Sequence, residues 1–241
     1  MKKYILKKSR FICYLMAGFV TVVYAQQNVP SNLITLDSDL GQKLFYESNH
    51  KQSYWRLSEF FVSQEGLSWC AIASDVMALN ALNVTPPLTV KYYPYSMFTQ
   101  DDFFGADQLR VTTPAKVYHS GVTLDENAKL LASYGLKVST RHADKRTSIE
   151  KFREEAISAV SSTDRIVLIN FCREVIGEVG CGHFSPLAAY DQSVDKFLLL
   201  DVARYKYPPV WISTKELYQS MSQGLDSLSN MHRGYIVISK E

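Results

Sequence analysis

Between Arg165 and Ser239 the chain carries four short apolar runs: RIVLIN (165–170), HFSPLAAY (183–190), FLLLDV (197–202) and YIVIS (235–239). Each is too short for an ordinary helix and is bounded by polar or turn residues, so each reads as a buried strand. Helical patterns come before them. Residues 124–134, LDENAKLLASY, form an amphipathic helix with Asp125 and Glu126 in its first turn and Gly135 as its C′ residue. Residues 148–161 form another, with Ser148 as N-cap and Lys151 and Glu155 at i,i+4 spacing. A short strand at 136–140 lies between the two. Helices first and strands after predict an α+β domain with helices packed on one mainly antiparallel sheet.

The rest of the chain fits around this plan. Residues 40–48 read as a short helix, and 92–105, YYPYSMFTQDDFFG, as a loop and short helix in which Asp101 and Asp102 cap and face solvent. With 241 residues, 46% of them hydrophobic, there is material for one full-sized core. The net charge of +2 and the scattered basic residues carry no nucleic-acid footprint.

The N-terminus has a different character. Lys2, Lys3, Lys7, Lys8 and Arg10 precede an almost uncharged apolar stretch, and Val23-Tyr24-Ala25 supplies the small residues that a signal peptidase requires. The division expected is a signal peptide at 1–25, an N-terminal arm at 26–43 and the folded domain at 44–241, with export to a periplasm or the medium; an uncleaved anchor is the alternative. Cleavage removes Cys13 and leaves Cys70, Cys172 and Cys181. That odd count fits a Cys172–Cys181 bridge with Cys70 free. It also fits three reduced thiols, the reading preferred here because cysteines near in sequence need not have bonding geometry.

Residues 64–82, QEGLSWCAIASDVMALNAL, place Cys70 where a loop gives way to a helix. Ser68 reads as the N-cap, and Ile72, Ala73, Val76, Met77 and Leu79 give the helix one apolar face; Asn83 and Pro86-Pro87 end it. A thiol at a helix N-terminus meets the positive end of the macrodipole, which favours the thiolate. Gln64 can join the Cys70 backbone N–H in holding an oxyanion. Read alone, Cys70 is more simply a small buried hydrophobe, as most single cysteines are.

A cysteine nucleophile needs a base, and the base an orienting partner. Of His50, His119, His142, His183 and His232, His183 is best placed: it follows Gly182 and opens a strand expected to be central. Asp201 ends the next strand, within reach if the two strands are antiparallel neighbours. Asn170, at the end of another strand, is the rival orienter. Cys172, Cys181 and His183 lack the paired spacing of a zinc site, so no metal ligands are assigned.

The segments GHFSPLAAY (182–190), LLLDVARYKYPPVW (198–211), FTQDDFF (98–104) and TLDENAKLLASYGLKV (123–138), together with the Cys70 helix, resemble the catalytic domain of the phytochelatin synthase family, papain-like cysteine transpeptidases that act on glutathione. The resemblance implies a papain-like fold with Cys70 as nucleophile, His183 as acid and base, Asp201 as orienter and Gln64 in the oxyanion hole. It implies that Asn170, Gly182, Phe184, Asp226 and Arg233 border the γ-glutamyl group, Arg233 on its carboxylate and Asp226 on its ammonium. It implies glutathione as partner, with a divalent metal such as cadmium or zinc entering as a metal–glutathione thiolate and no cofactor needed for the chemistry. A homodimer is left open. Ala71 stands where the family often has glycine. Plant and fungal members carry a cysteine-rich region beyond the point where this chain stops, so the expectation here is that hydrolysis to γ-glutamylcysteine and glycine outweighs transfer to a second glutathione. A general cysteine peptidase and a non-catalytic binder of metal–glutathione complexes are the competing readings.

Overall fold

The computed structural model describes residues 27–89 and 91–240. The expected signal peptide at 1–25 lies outside the described residues. In chain order the elements are β1 (Ile34–Thr35), α1 (Asp39–Glu47), α2 (Gln52–Glu59), α3 (Cys70–Ala81), α4 (Ala106–Leu109), α5 (Pro114–Ser120), α6 (Leu124–Ala132), β2 (Lys137–His142), α7 (Ile149–Val160), β3 (Arg165–Phe171), a 3₁₀ turn (Arg173–Ile176), β4 (His183–Asp191), β5 (Lys196–Leu199), β6 (Val210–Ser213), α8 (Thr214–Ser222) and β7 (Gly234–Ser239). The strands form one antiparallel sheet in the order β1-β6-β5-β4-β3-β7-β2. This is the α+β class read from the sequence, with β4 at the centre.

Alternation along the strands splits the core in two. From β3, Ile166 and Leu168 join the cluster built around α3, whereas Val167, Ile169 and Phe171 face the cluster that includes Phe152 of α7 and Leu217 of α8. The helices therefore cover both faces of the sheet. Apart from Arg165, every residue of β3 and β4 is buried, which is why those runs read as continuous rather than alternating hydrophobic stretches.

Local capping chemistry sets several boundaries. Ser148 accepts from the Lys151 backbone N–H, and Lys151 lies 3.4 Å from Glu155. Thr123 and Glu126 form a reciprocal capping box at the start of α6, which ends at Ala132; Gly135 turns the chain just beyond it with φ +77°. Asp102 Oδ1 accepts from the Thr99 N–H at 2.7 Å, and Asp101 pairs with Lys91 at 3.1 Å.

Two expectations about α3 are corrected. Ser68 is not its N-cap. Trp69 occupies that position with no side-chain cap, because Ser68 Oγ donates to the Tyr118 carbonyl at 2.6 Å instead. Nor is one face of α3 apolar and the other wet: all its residues are buried, because α3 packs on β4, α2 packs beside it and the loop at Phe98 is bonded to its last turn. Asn80 holds that loop by exchanging two 2.9 Å hydrogen bonds with the Phe98 backbone.

The run at 197–202 is a strand only as far as Leu199. Helices α2, α4, α5 and α8 and strands β1 and β6 are additions to the sequence reading, and the short helix expected within 92–105 is absent, those residues forming turns and irregular chain; β6 is a four-residue run entered from Pro208-Pro209 and too short to register as periodic. Residues 27–38 hold an extended course against the domain, with Gln27 N–H on the Lys206 carbonyl and β1 on the edge of β6. No helix among the described residues is long and apolar enough to cross a membrane.

Candidate active site

Cys70 is the first residue of α3 and is buried, with no side chain capping the N–H groups of that first turn. His183 opens β4, the strand against which α3 packs, so the sheet presents the imidazole to the helix start. Among the described residues Cys70 is the free thiol. Burial opposes its ionisation, but the His183 charge, a hydrogen bond from His183, the Phe184 backbone N–H and the Arg173 charge together leave its pKa below the ordinary thiol value. Asp75, buried one turn along and bonded by Asn127 Nδ2 at 3.0 Å, is pushed well above the carboxylate range by burial, which holds back a negative charge beneath the thiol.

The buried carboxylate beside His183 is Asp201. His183 Nε2 lies 3.0 Å from Asp201 Oδ1 and 3.0 Å from Ser185 Oγ. An ionised carboxylate can only accept, so it keeps the proton on Nε2 and leaves Nδ1 for the sulfur. Burial works against the imidazolium; Asp201 and the Cys70 thiolate outweigh it and the opposing Arg173 charge, and the His183 pKa stands above its usual value. Burial raises Asp201, yet His183 and Arg173 hold its pKa down at about 2. A depressed thiol beside an elevated imidazole is the combination that favours a thiolate–imidazolium pair.

This pair gives a direct expectation. Alkylation of Cys70 by iodoacetamide should persist below the ordinary thiol pKa of about 8.5. His183→Ala removes the charge and the hydrogen bond that offset burial, so the alkylation profile should move above that value. Asp201→Asn should move it less, since Asp201 acts through the ring. Rates measured across pH, with the modified peptide identified by mass, check both; an unmoved profile in His183→Ala would detach the two residues.

Asn170 is not the orienter. β3 lies beside β7, so Asn170 sits opposite Gly234 and its Oδ1 accepts from Arg233 Nη1 at 3.3 Å. Arg233 Nη1 also lies 3.4 Å from Asp226 Oδ2, and Arg233 Nε is buried with no partner. Burial lowers the Arg233 pKa and Asp226 partly offsets it. Gly182, at φ +81°, packs against this guanidinium: a Cβ there would stand 3.4 Å from Nη1, in a backbone conformation that side chains resist. Cys70, Asn170, Gly182, Phe184, Asp226 and Arg233 all line one cleft of about 380 Å³, closed on its other wall by residues 119–122 at the end of α5. Its size suits a small-molecule ligand.

Gln64 is present but occupied. Its Nε2 donates to the Gly66 carbonyl at 2.6 Å and to Tyr205 Oη at 3.2 Å. To serve an oxyanion it must exchange the longer of these bonds, so Tyr205 governs its availability. Arg173 and Glu178 are further residues that the sequence reading missed. Arg173 Nη2 reaches Asp201 Oδ2 at 2.6 Å, its Nη1 bonds Glu178, and its guanidinium stacks 4.9 Å from the Tyr207 ring centre. Both side chains are buried. Two charged residues in a short loop between buried strands were the available signal; without the strand order their partner could not be assigned.

The expectation of three reduced thiols is overturned. Cys172 and Cys181 are bridged, with Cα atoms 4.2 Å apart. Antiparallel pairing of β3 with β4, Phe171 opposite His183, brings the two cysteines together across the mouth of their connection. Among the described residues no group of three or more His, Cys, Asp or Glu side chains is arranged to hold a metal ion.

The chain matches the family model for phytochelatin synthase over residues 24–235. It is 31% identical over 234 residues to the glutathione gamma-glutamylcysteinyltransferase of Schizosaccharomyces pombe, covering 96% of this chain and 55% of that protein. It is 32% identical over 206 residues to glutathione gamma-glutamylcysteinyltransferase 1 of Lotus japonicus (84% and 40%) and 30% identical over 210 residues to glutathione gamma-glutamylcysteinyltransferase 1 of Arabidopsis thaliana (86% and 42%). It thus spans about half, or less, of the length of these relatives. With a helix-start cysteine facing a histidine at the start of β4 and an aspartate just beyond β5, and a family match over most of its length, the chain belongs to the phytochelatin synthase family.

Proposed function

We propose that this domain cleaves the Cys–Gly peptide bond of glutathione through a γ-glutamylcysteinyl thioester on Cys70, and passes the acyl group to water or to the α-amine of a second glutathione. The observation that carries the reading is a buried Arg233–Asp226–Asn170 group in the same cleft as Cys70. A γ-glutamyl group is unusual in presenting both a free α-carboxylate and a free α-ammonium at the end remote from the scissile bond. A guanidinium with an unpartnered Nε suits the first and a carboxylate the second. The relatives' names point to the same substrate.

The chemistry follows from the residues. The Cys70 thiolate attacks the cysteinyl carbonyl, and the first-turn N–H groups of α3, with Gln64, receive the oxyanion. The His183 imidazolium gives its proton to the departing glycine amine and then, as a neutral ring, takes one from the acceptor. Asp201 keeps the ring oriented and supports its charge. Divalent metal enters this reading on the substrate thiol, as a metal–glutathione thiolate. Export is part of the same proposal: residues 1–25 have the pattern of a signal peptide, and a disulfide suits an oxidising compartment.

The test is substrate dependence. Glutathione should release glycine, and peptides that end in Cys-Gly without the γ-glutamyl linkage should not; equal turnover of both would favour a general peptidase. Arg233→Ala should raise KM for glutathione about 10- to 100-fold, the loss of one charge-assisted interaction of roughly 1.5–3 kcal/mol, with a smaller change in kcat. An unchanged KM in a folded variant would put the γ-glutamyl group elsewhere.

A further inference from the structure

The disulfide sits between the two halves of the site. Asn170 lies two residues before Cys172, and Gly182 and His183 follow Cys181 directly. The loop that the bridge closes contains Arg173, which carries Asp201, and Glu178, which pairs with Arg173. Its two cysteines are not equivalent. Cys172 is buried, at 6% exposure, with its N–H on the Ser220 carbonyl; Cys181 is exposed and lines the same cleft as Cys70. A thiol that enters the cleft therefore meets Cys181 and not Cys172.

We propose that the Cys172–Cys181 bridge is a thiol-responsive element of this site: a small thiol entering the cleft exchanges with it at Cys181, and opening the bridge slows the chemistry at Cys70. In the first step the incoming thiolate, its proton released to solvent, attacks Cys181 Sγ. A new S–S bond forms to Cys181, the Cys172–Cys181 bond breaks, and Cys172 leaves as a thiolate that takes up a proton. A second thiol then attacks the mixed disulfide, releases the oxidised small thiol and leaves two cysteine thiols; the two incoming thiols supply the two electrons. That this thiol is glutathione rests on the proposed function, whereas the exchange itself does not.

The consequence follows from connectivity. The bridge restricts the loop at 173–180 and the Cys181–Gly182 segment from which His183 enters the sheet. Opened, that segment gains freedom at both ends of the Arg173–Asp201–His183 chain, and Gly182 loses its fixed approach to Arg233. In an oxidising compartment the bridge stays closed and the site assembled; a high ratio of thiol to disulfide opens it.

The full protein is equilibrated with mixtures of reduced and oxidised glutathione, acid-quenched, alkylated and mapped by mass. The expected result is a glutathione adduct on Cys181 with Cys172 free, giving way to two free thiols as the ratio rises. Alkylation of Cys70 by iodoacetamide, read on its own peptide near neutral pH, should fall at least fivefold in the opened protein and recover on reoxidation. Cys172→Ser/Cys181→Ser should resemble the opened form at every ratio; if it does not fold, reversible opening of the wild-type protein carries the test. An adduct confined to Cys172, a bridge opened by dithiothreitol but never by glutathione, or an opened protein with unchanged Cys70 reactivity would each overturn the proposal. Bridge-dependent Cys70 reactivity without glycine release would refute the proposed function and leave this inference standing.

Discussion

Cys70→Ala should lower glycine release from glutathione by about 10⁴-fold or more, the scale of loss when a nucleophile is removed from a unit of this kind. The expectation rests on position. Cys70 stands at the uncapped start of α3, its sulfur next to a histidine already held by a buried aspartate, and it is the free thiol in the cleft. Alanine deletes one buried sulfur and leaves α3 otherwise intact, so the folded state should survive with a melting temperature within a few degrees of wild type. Glycine quantified over time, beside a circular dichroism melt, separates lost chemistry from lost structure. Early quenching of the wild-type protein should also trap a γ-glutamylcysteinyl mass increase on the Cys70 peptide. A folded Cys70→Ala protein that still turns over would end the nucleophile assignment.

Arg173→Met should be the most destabilising single change near the site. Arg173 is the cation between two buried carboxylates, Asp201 and Glu178, and removing it leaves both facing each other in the protein interior. Breaking a buried pair in this way costs roughly 3–5 kcal/mol, or a melting temperature lower by about 10 °C in a domain of this size. Glu178→Gln should cost much less. Burial, with the Asp201 charge adding to it, already raises the Glu178 pKa despite Arg173, so the neutral amide replaces a group that gains little from being ionised.

The acid side distinguishes this explanation from simple loss of packing. Asp201 has a folded pKa of about 2, below its unfolded value of about 3.9. Its pairing therefore stabilises the protein above that unfolded value, and the contribution fades as pH falls towards 2. The stability gap between wild type and Arg173→Met should narrow over that interval. Urea unfolding at several pH values from 2 to 7 measures it, and a constant gap would mean that the guanidinium acts through its stacking on Tyr207 rather than its charge.

What local sequence determines is plain in α6, α7 and the strands. Thr123 and Ser148 satisfy orphan N–H groups within their own first turns, and the apolar runs at 165–171 and 183–191 are buried whatever their neighbours are. The order of Cys70, His183 and Asp201, and the elements that carry them, follow from such signals, and the family resemblance supplied their roles. The reading faltered where a residue's partner is distant in sequence. Ser68 has the chemistry of a cap but spends its hydroxyl on Tyr118, and Gln64 spends its amide on Tyr205. Asn170 could have oriented the histidine; β7, pairing beside β3, gave it to Arg233 instead.

By itself the sequence determined the class of fold, the helix that bears the thiol and the strand that bears the imidazole, because capping and periodicity act between residues a turn or a pleat apart. Only the tertiary structure decided that Cys172 and Cys181 meet, that Arg173 carries Asp201, and that the loop after α5 closes the cleft. Those outcomes depend on which strands are neighbours and on the register between them, and a buried charge or thiol takes whichever partner that register brings within reach.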